Sequence, residues 1–394
     1  MRILSFLLWP IFLLFVLVIS IFPIQIAKED SLEYLAPFEV SVYEDAMLSD
    51  FVQVKNGTLE DVIIDTSSLG IQPISFSYRD QQGVRKKRTI GIQVVDHTPP
   101  LIWLSNSYTV VKGTTSFIED ILCGDNYDKE PHCYIEGEYN LNEVGNYPLL
   151  YVAEDKSGNV AKQEFILNVI EKKGGSSSSS KTTTSFQEIL KKHQSEQVMV
   201  GIDVSKWQGE IDFAELKKAG CEFIMIRLGS QGGVLKDSTI DPYFEANLKQ
   251  AKELGFQVGV YYYSYASSME EARLQAEWVL SQLNGEKLDL PIVFDWECWS
   301  HFRTMKISFH DLNEISNAFL DTIQQAGYET MHYSSKNYLE KIWTTIDHDV
   351  WLAHYTKATN YQGAYRMWQL CNNGRIAGID GDVDIDLLYL QEGE

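Results

Sequence analysis

The sequence predicts a multidomain chain: an N-terminal transmembrane helix, two small all-β sandwiches, and a C-terminal α/β domain built as a (β/α)-barrel of the reduced-helix type. Three observations predict it. Residues Ile3 to Ile26 carry no charge. From about Leu35 to Ile170 short period-two runs alternate with turn residues and repeat. After Val198 strand-like and helix-like runs alternate. The 394 residues, 44% apolar and 22% charged, exceed one domain and exclude a disordered chain or a disulfide-dense miniprotein. A net charge of -22 argues against nucleic acid, whose phosphates need clustered cations. None of the five cysteines lies in a CxxC pair, which removes a zinc ribbon and a thioredoxin-like redox motif.

The uncharged stretch is long enough for a bilayer core, which takes about 20 helical residues, and lacks the A-x-A-like end of a cleaved signal. Arg2 precedes it, and Lys28 is followed at once by Glu29 and Asp30. The positive-inside rule therefore puts the N-terminus in the cytoplasm, with residues 1–30 a single-pass anchor and a cleaved signal as the alternative; both put the remainder outside.

The β region compared with itself at an offset of 75 matches Gly70, Pro73, Asp80 and Gly83 to Gly145, Pro148, Asp155 and Gly158. Two copies of one unit follow, residues 31–96 and 97–171. The turn Asp155 to Asn159, after the run Val144 to Tyr151, resembles bacterial immunoglobulin-like surface repeats, which implies immunoglobulin-like sandwiches acting as spacers or as binders of another surface or secretion-system protein. Cys123 and Cys133, ten residues apart in the second copy and outside the membrane, are a disulfide candidate. Lys172 to Ser185 has no apolar residue and reads as a tether, so residues 172–195 are expected to be a flexible linker, with a short helix from Phe186.

Residues 196–394 form the last domain. Strand runs at Phe223 to Arg227, Val258 to Tyr263, Leu290 to Phe294, Tyr328 to Tyr333 and Val350 to Ala353 are separated by helical stretches, among them Met269 to Leu283, and the tail from Arg366 is short of helix signals. That order points to the reduced (β/α)-barrel, with an open doubly wound sheet as runner-up. In either, chemistry belongs at the carboxyl ends of strands, where Asp203, Asp295, Glu297 and Asp384 fall. Asp295 and Glu297 share a side of their strand, and crowding raises one pKa so that one carboxyl stays protonated while the other is anionic, the division of labour in glycoside hydrolysis. Asp212 reads as a helix N-cap, and Asp380 to Asp386 fail as an EF-hand because the sixth position is Ile385.

The runs Gly201 to Gly209 (GIDVSKWQG), Val293 to Glu297 (VFDWE) and Gly381 to Asp386 (GDVDID), with Asp241 to Asn247, Gly259 to Tyr265, Trp351 to Tyr355 and Met367 to Gln369 in the same order, resemble glycoside hydrolase family 25 muramidases. The resemblance covers about Val198 to Leu390 and implies cleavage of the β-1,4 bond between N-acetylmuramic acid and N-acetylglucosamine in peptidoglycan. It implies Glu297 as the acid, Asp295 as stabiliser of the anomeric charge or guide of the 2-acetamido group, Asp203 and Asp384 as tuning groups, and neither metal nor cofactor. Trp207, Arg227, Tyr261, Tyr263, Trp296, Tyr355 and Trp368 are the expected glycan-binding residues. The combined expectation is a membrane-anchored extracellular peptidoglycan hydrolase for local wall remodelling; the alternative is a non-catalytic surface protein that binds glycan on the same barrel.

Overall fold

Eight strands close on themselves between Val198 and Tyr389: β1 (Val198–Val204), β2 (Phe223–Gln231), β3 (Gln257–Ser264), β4 (Ile292–Trp296), β5 (Thr330–Ser335), β6 (Asp349–Ala353), β7 (Met367–Arg375) and β8 (Val383–Tyr389). The computed structural model that shows this describes residues 31–35, 37–117, 121–172 and 182–390. Strands β1 to β7 are parallel to their neighbours, whereas β8 runs antiparallel to both β7 and β1.

This corrects the expected fold class. A TIM-type (β/α)-barrel is parallel throughout and has a helix after every strand. Here only seven residues separate β7 from β8. A parallel crossover needs a dozen or more residues, so β7 can return only as an antiparallel hairpin. The open doubly wound sheet fails as well, because β8 joins β1 and shuts the barrel. The transmembrane helix expected over Ile3 to Ile26 lies outside the described residues; among the described residues no helix is long and apolar enough to cross a membrane.

Strand alternation builds two cores. Phe223, Met225, Val293, Met331, Met367 and Leu388 fill the barrel interior with Tyr261, Tyr333 and Trp351. Their neighbours Ile224, Ile226, Ile292, Phe294, Leu352 and Leu387 face outward into the larger core under the helices. Gly201 and Gly259 are inward positions where no side chain fits: a Cβ would lie 2.4 Å from Phe223 O and 2.7 Å from Met225 Cε, respectively.

Among the described residues the helices are α1 (Phe186–His193), α2 (Phe213–Lys218), α3 (Phe244–Glu253), α4 (Met269–Leu283), α5 (Phe302–Met305), α6 (Phe309–Gln325) and α7 (Lys336–Lys341). Asp212 caps α2, accepting from Glu215 N at 3.1 Å. The longest, α6, is absent from the expected elements although its capping box is plain in sequence: Ser308 Oγ accepts from Asp311 N while Asp311 Oδ2 accepts from Ser308 N. The linker expectation is also corrected at its C-terminal end. Thr184 and Ser185 pair with β7, and Phe186 is fully buried in the barrel's outer core, so this stretch belongs to the barrel. Residues 173–181 lie outside the described residues.

The chain divides into two compact units, Met1–His97 and Thr98–Glu394. In the first, Gly70–Arg79 pairs with Arg85–Val95 in an antiparallel hairpin flanked by Glu39–Ser41 and Thr58–Leu59. In the second, Gly145–Glu154 and Val160–Ile170 make the same hairpin, flanked by Ser107–Val111 and His132–Glu136. Gly70 faces Val94, and Gly145 faces Val169, so the 75-residue repeat of the sequence is kept in strand register. Gly83 and Gly158 occupy the same turn at φ 76 and 90, where a side chain is strained. Cys123 and Cys133 form a disulfide, with Cα atoms 6.6 Å apart. The second β-module and the barrel therefore share one unit.

Candidate active site

A groove of about 400 Å³ opens at the carboxyl ends of β1 to β7, and the barrel strands deliver its chemistry by parity. Asp203 is the penultimate residue of β1, Arg227 is on β2, Tyr261 and Tyr263 are on β3, Asp295 is on β4, Tyr333 on β5, Trp351 on β6, Gln369 on β7 and Asp384 at the amino end of the antiparallel β8, not at the expected carboxyl end; all line it, with Glu297 just past β4. The four carboxyls expected from sequence thus share one groove.

Parity also corrects two expected glycan-binding residues. Trp296 follows Asp295 and therefore points the opposite way; it is 0% exposed in the outer core, and its indole Nε1 donates to Ala266 O at 3.0 Å. Trp368 precedes Gln369 and is likewise buried outward, donating to His354 O at 2.9 Å. The other five line the groove: Arg227, Tyr261 and Tyr263 in its wall, Trp207 at 77% exposure and Tyr355 at 52% on its rim.

Three positioning relationships were not anticipated. Gln369 Nε2 donates to Asp203 Oδ2 at 2.8 Å, while Gln369 Oε1 accepts from the hydroxyls of Tyr333 and Tyr355 at 2.8 and 2.9 Å. Arg227 is clamped by Asp241, with Nε and Nη2 at 2.8 and 2.6 Å from Oδ2. Asp241 precedes a proline and reads as the helix cap in sequence, yet its carboxylate holds Arg227, Lys206 N at 3.0 Å and Tyr243 N at 3.0 Å, and α3 starts only at Phe244. Asp386 lies fully buried on β8, where Trp351 Nε1 donates to it at 2.9 Å.

The electrostatics follow from crowding acids around one cation. Burial, the charges of Glu297 and Asp203, and the opposing pull of Arg227 leave Asp295 well above the usual carboxylate range. Burial raises Asp203 to about 6 against the hydrogen bond from Gln369 and the charge of Arg227. Asp384 rises to about 8 through burial, then Asp203 and Glu297. The Glu297 side chain is exposed to the open groove, but the surrounding walls withdraw enough solvent to raise it too. Asp386 is raised well above its ordinary value by burial and by Asp203 and Asp384. Asp295 Oδ1 is buried without a hydrogen-bond partner in the protein, an acceptor left for a donor in the groove.

Protonated and ionised carboxyls facing one cavity with aromatic walls define a site suited to acid-assisted cleavage of a sugar linkage. Residues 202–379 match the family described as Glycosyl hydrolases family 25, and this part of the chain is a family 25 domain. The chain is 27% identical over 191 residues to the "Autolytic lysozyme" of Clostridium acetobutylicum, a match spanning 48% of this chain and 55% of that protein. It therefore spans about half the length of that relative. It is 28% identical over 192 residues to "Uncharacterized protein YegX" of Escherichia coli K12, covering 48% and 68%. Among solved structures it is similar to a family 25 glycosyl hydrolase from Bacillus anthracis, at TM-score 0.44 and 24% identity over 51% of this chain and 93% of that one.

Proposed function

We propose that the barrel is an N-acetylmuramidase that hydrolyses the β-1,4 bond between N-acetylmuramic acid and N-acetylglucosamine in peptidoglycan. The observation that carries this reading is the convergence of Asp203, Asp295, Glu297 and Asp384 in one groove at the strand ends of a family 25 domain. Glu297, raised and open to the groove, protonates the leaving oxygen. Asp295 offers its unpartnered buried oxygen to the N–H of the substrate's 2-acetamido group, which turns the acetamido oxygen toward the anomeric carbon as positive charge develops there. Asp203, held by Gln369, and Asp384 set the charge of the groove and position water. Trp207 and Tyr355 stack on sugar faces at the rim.

The domain would act outside the cell membrane on nearby wall, in local remodelling; the uncharged run 3–26 and the Cys123–Cys133 disulfide support that placement, because disulfides persist in oxidising compartments. The first β-module would then serve as spacer or as contact for another surface protein, a reading supported by its repeat alone. The test of the activity is digestion of purified peptidoglycan by the full chain, followed by borohydride reduction and mass spectrometry. Reduced muramic acid ends support a muramidase. Bound wall with no released fragment would favour the glycan-binding alternative.

A further inference from the structure

Glu297 lies one residue beyond the last ladder residue of β4, so no strand pairing fixes it, and its support must come from the side. That support is an aromatic stack that starts outside the barrel. Trp103, in the strand Leu101–Trp103 of the second β-module, places its ring 4.7 Å from that of Tyr338 on α7. Tyr338 stacks on Trp299 at 3.9 Å and an interplanar angle of 25°. Trp299 is two residues after Glu297, donates its backbone N–H to Glu297 O at 2.8 Å, and meets Trp296, the residue before Glu297, edge-on at 4.9 Å. Both chain neighbourhoods of Glu297 are thus gripped by one stack, and the far end of the stack belongs to the β-module.

The module is docked well enough to act as an anchor. Leu122 joins the outer core of the barrel, and at Gly124 a Cβ would fall 2.6 Å from both Phe302 and Phe309. Phe309 N donates to Asp125 O at 2.8 Å, and the ion pairs Lys129–Asp311 and Lys306–Glu130, each 2.9 Å, flank the contact. Cys123, between Leu122 and Gly124, ties this strand to Cys133. Burial raises the Tyr338 hydroxyl, and the charge of Glu297 adds to that rise.

We propose that the second β-module is a working part of the catalytic unit and that Trp103 is a positioning residue, holding the Glu297 loop through Tyr338 and Trp299. The proposal rests on the muramidase reading and on Glu297 as its acid. Misplacing a catalytic group by about 1 Å can cost about 100-fold in rate, so loosening one end of the stack has a readable effect. The test compares the full chain with its Trp103→Ala and Trp103→Phe variants on soluble peptidoglycan fragments across pH. Trp103→Ala is expected to lower kcat by about 10-fold or more with KM within about twofold, and to move the pH limb set by the acid, while Trp103→Phe restores most of the rate. A mere loss of folded protein would scale the whole profile without moving its limb. If Trp103→Ala keeps the wild-type kcat and pH profile, or only scales the profile, the proposal is overturned. If the wild-type chain cleaves nothing, the muramidase reading falls first and takes this inference with it.

Discussion

Gln369 and Asp203 stand 166 residues apart in sequence and 2.8 Å apart in the fold, with the amide nitrogen donating to the carboxylate. The amide cannot turn over, because its oxygen already accepts from Tyr333 and Tyr355. This bond lowers an Asp203 that burial raises. Gln369→Leu is therefore expected to raise Asp203 further and to cut kcat/KM by about 10- to 100-fold, in line with about 1.5–3 kcal/mol for a hydrogen bond to a charged group. A pH profile of kcat/KM checks both parts, its lower limb moving upward.

Arg227 and Asp241 form a buried pair, their side chains 11% and 1% exposed. Arg227→Met leaves Asp241 buried without its partner and removes the cation that lowers Asp203 and Asp295. A destabilisation of about 3–5 kcal/mol follows, measurable as a drop in the urea midpoint.

Stability should decline as pH rises from about 6.5 to 8. Asp203 and Asp384 have folded pKa values of about 6 and about 8, above the unfolded value near 4, so their contribution is complete below about pH 4 and is lost as pH climbs through the folded values. Below about 6.5 a second slope opposes this one, because burial lowers His332 to about 3 and the unfolded chain takes up its proton first. Asp384→Asn should flatten the decline in urea titrations at pH 6.5, 7 and 8, and below about 6.5 it should leave the rising slope of His332 less opposed.

The double variant Cys123→Ala, Cys133→Ala should lose about 2–4 kcal/mol, read as a lower Tm. Trp207, 77% exposed on the groove rim, should behave in the opposite way: Trp207→Ala raises KM and leaves Tm within a degree or so.

Asp203, Asp295 and Glu297 were legible in sequence because strand ends and alternation are local patterns; Asp384 keeps the alternation but stands at the amino end of the antiparallel β8, not at a carboxyl end. The same alternation, carried one residue further, places Trp296 and Trp368 on the outer face; aromatic character alone misassigned them. Gln369, Asp386 and Asp241 lie in runs that carry the family resemblance, but their positioning roles left no local signal, since their partners come from other elements. The direction of β8 was readable in the seven residues before it, which cannot hold a crossover helix. Docking of the second β-module was hidden for another reason: Trp103 and Tyr338 meet across two segments whose patterns, taken singly, describe ordinary half-buried strand and helix residues.

In the proposed reaction Glu297 delivers the proton that breaks the glycan. The direct test measures turnover and glycan binding of the full chain carrying Glu297→Gln, which keeps the shape and removes the proton. Turnover lost by more than about 100-fold with binding kept is the predicted result. Turnover retained within a few-fold would contradict it and move the acid to another carboxyl of the groove.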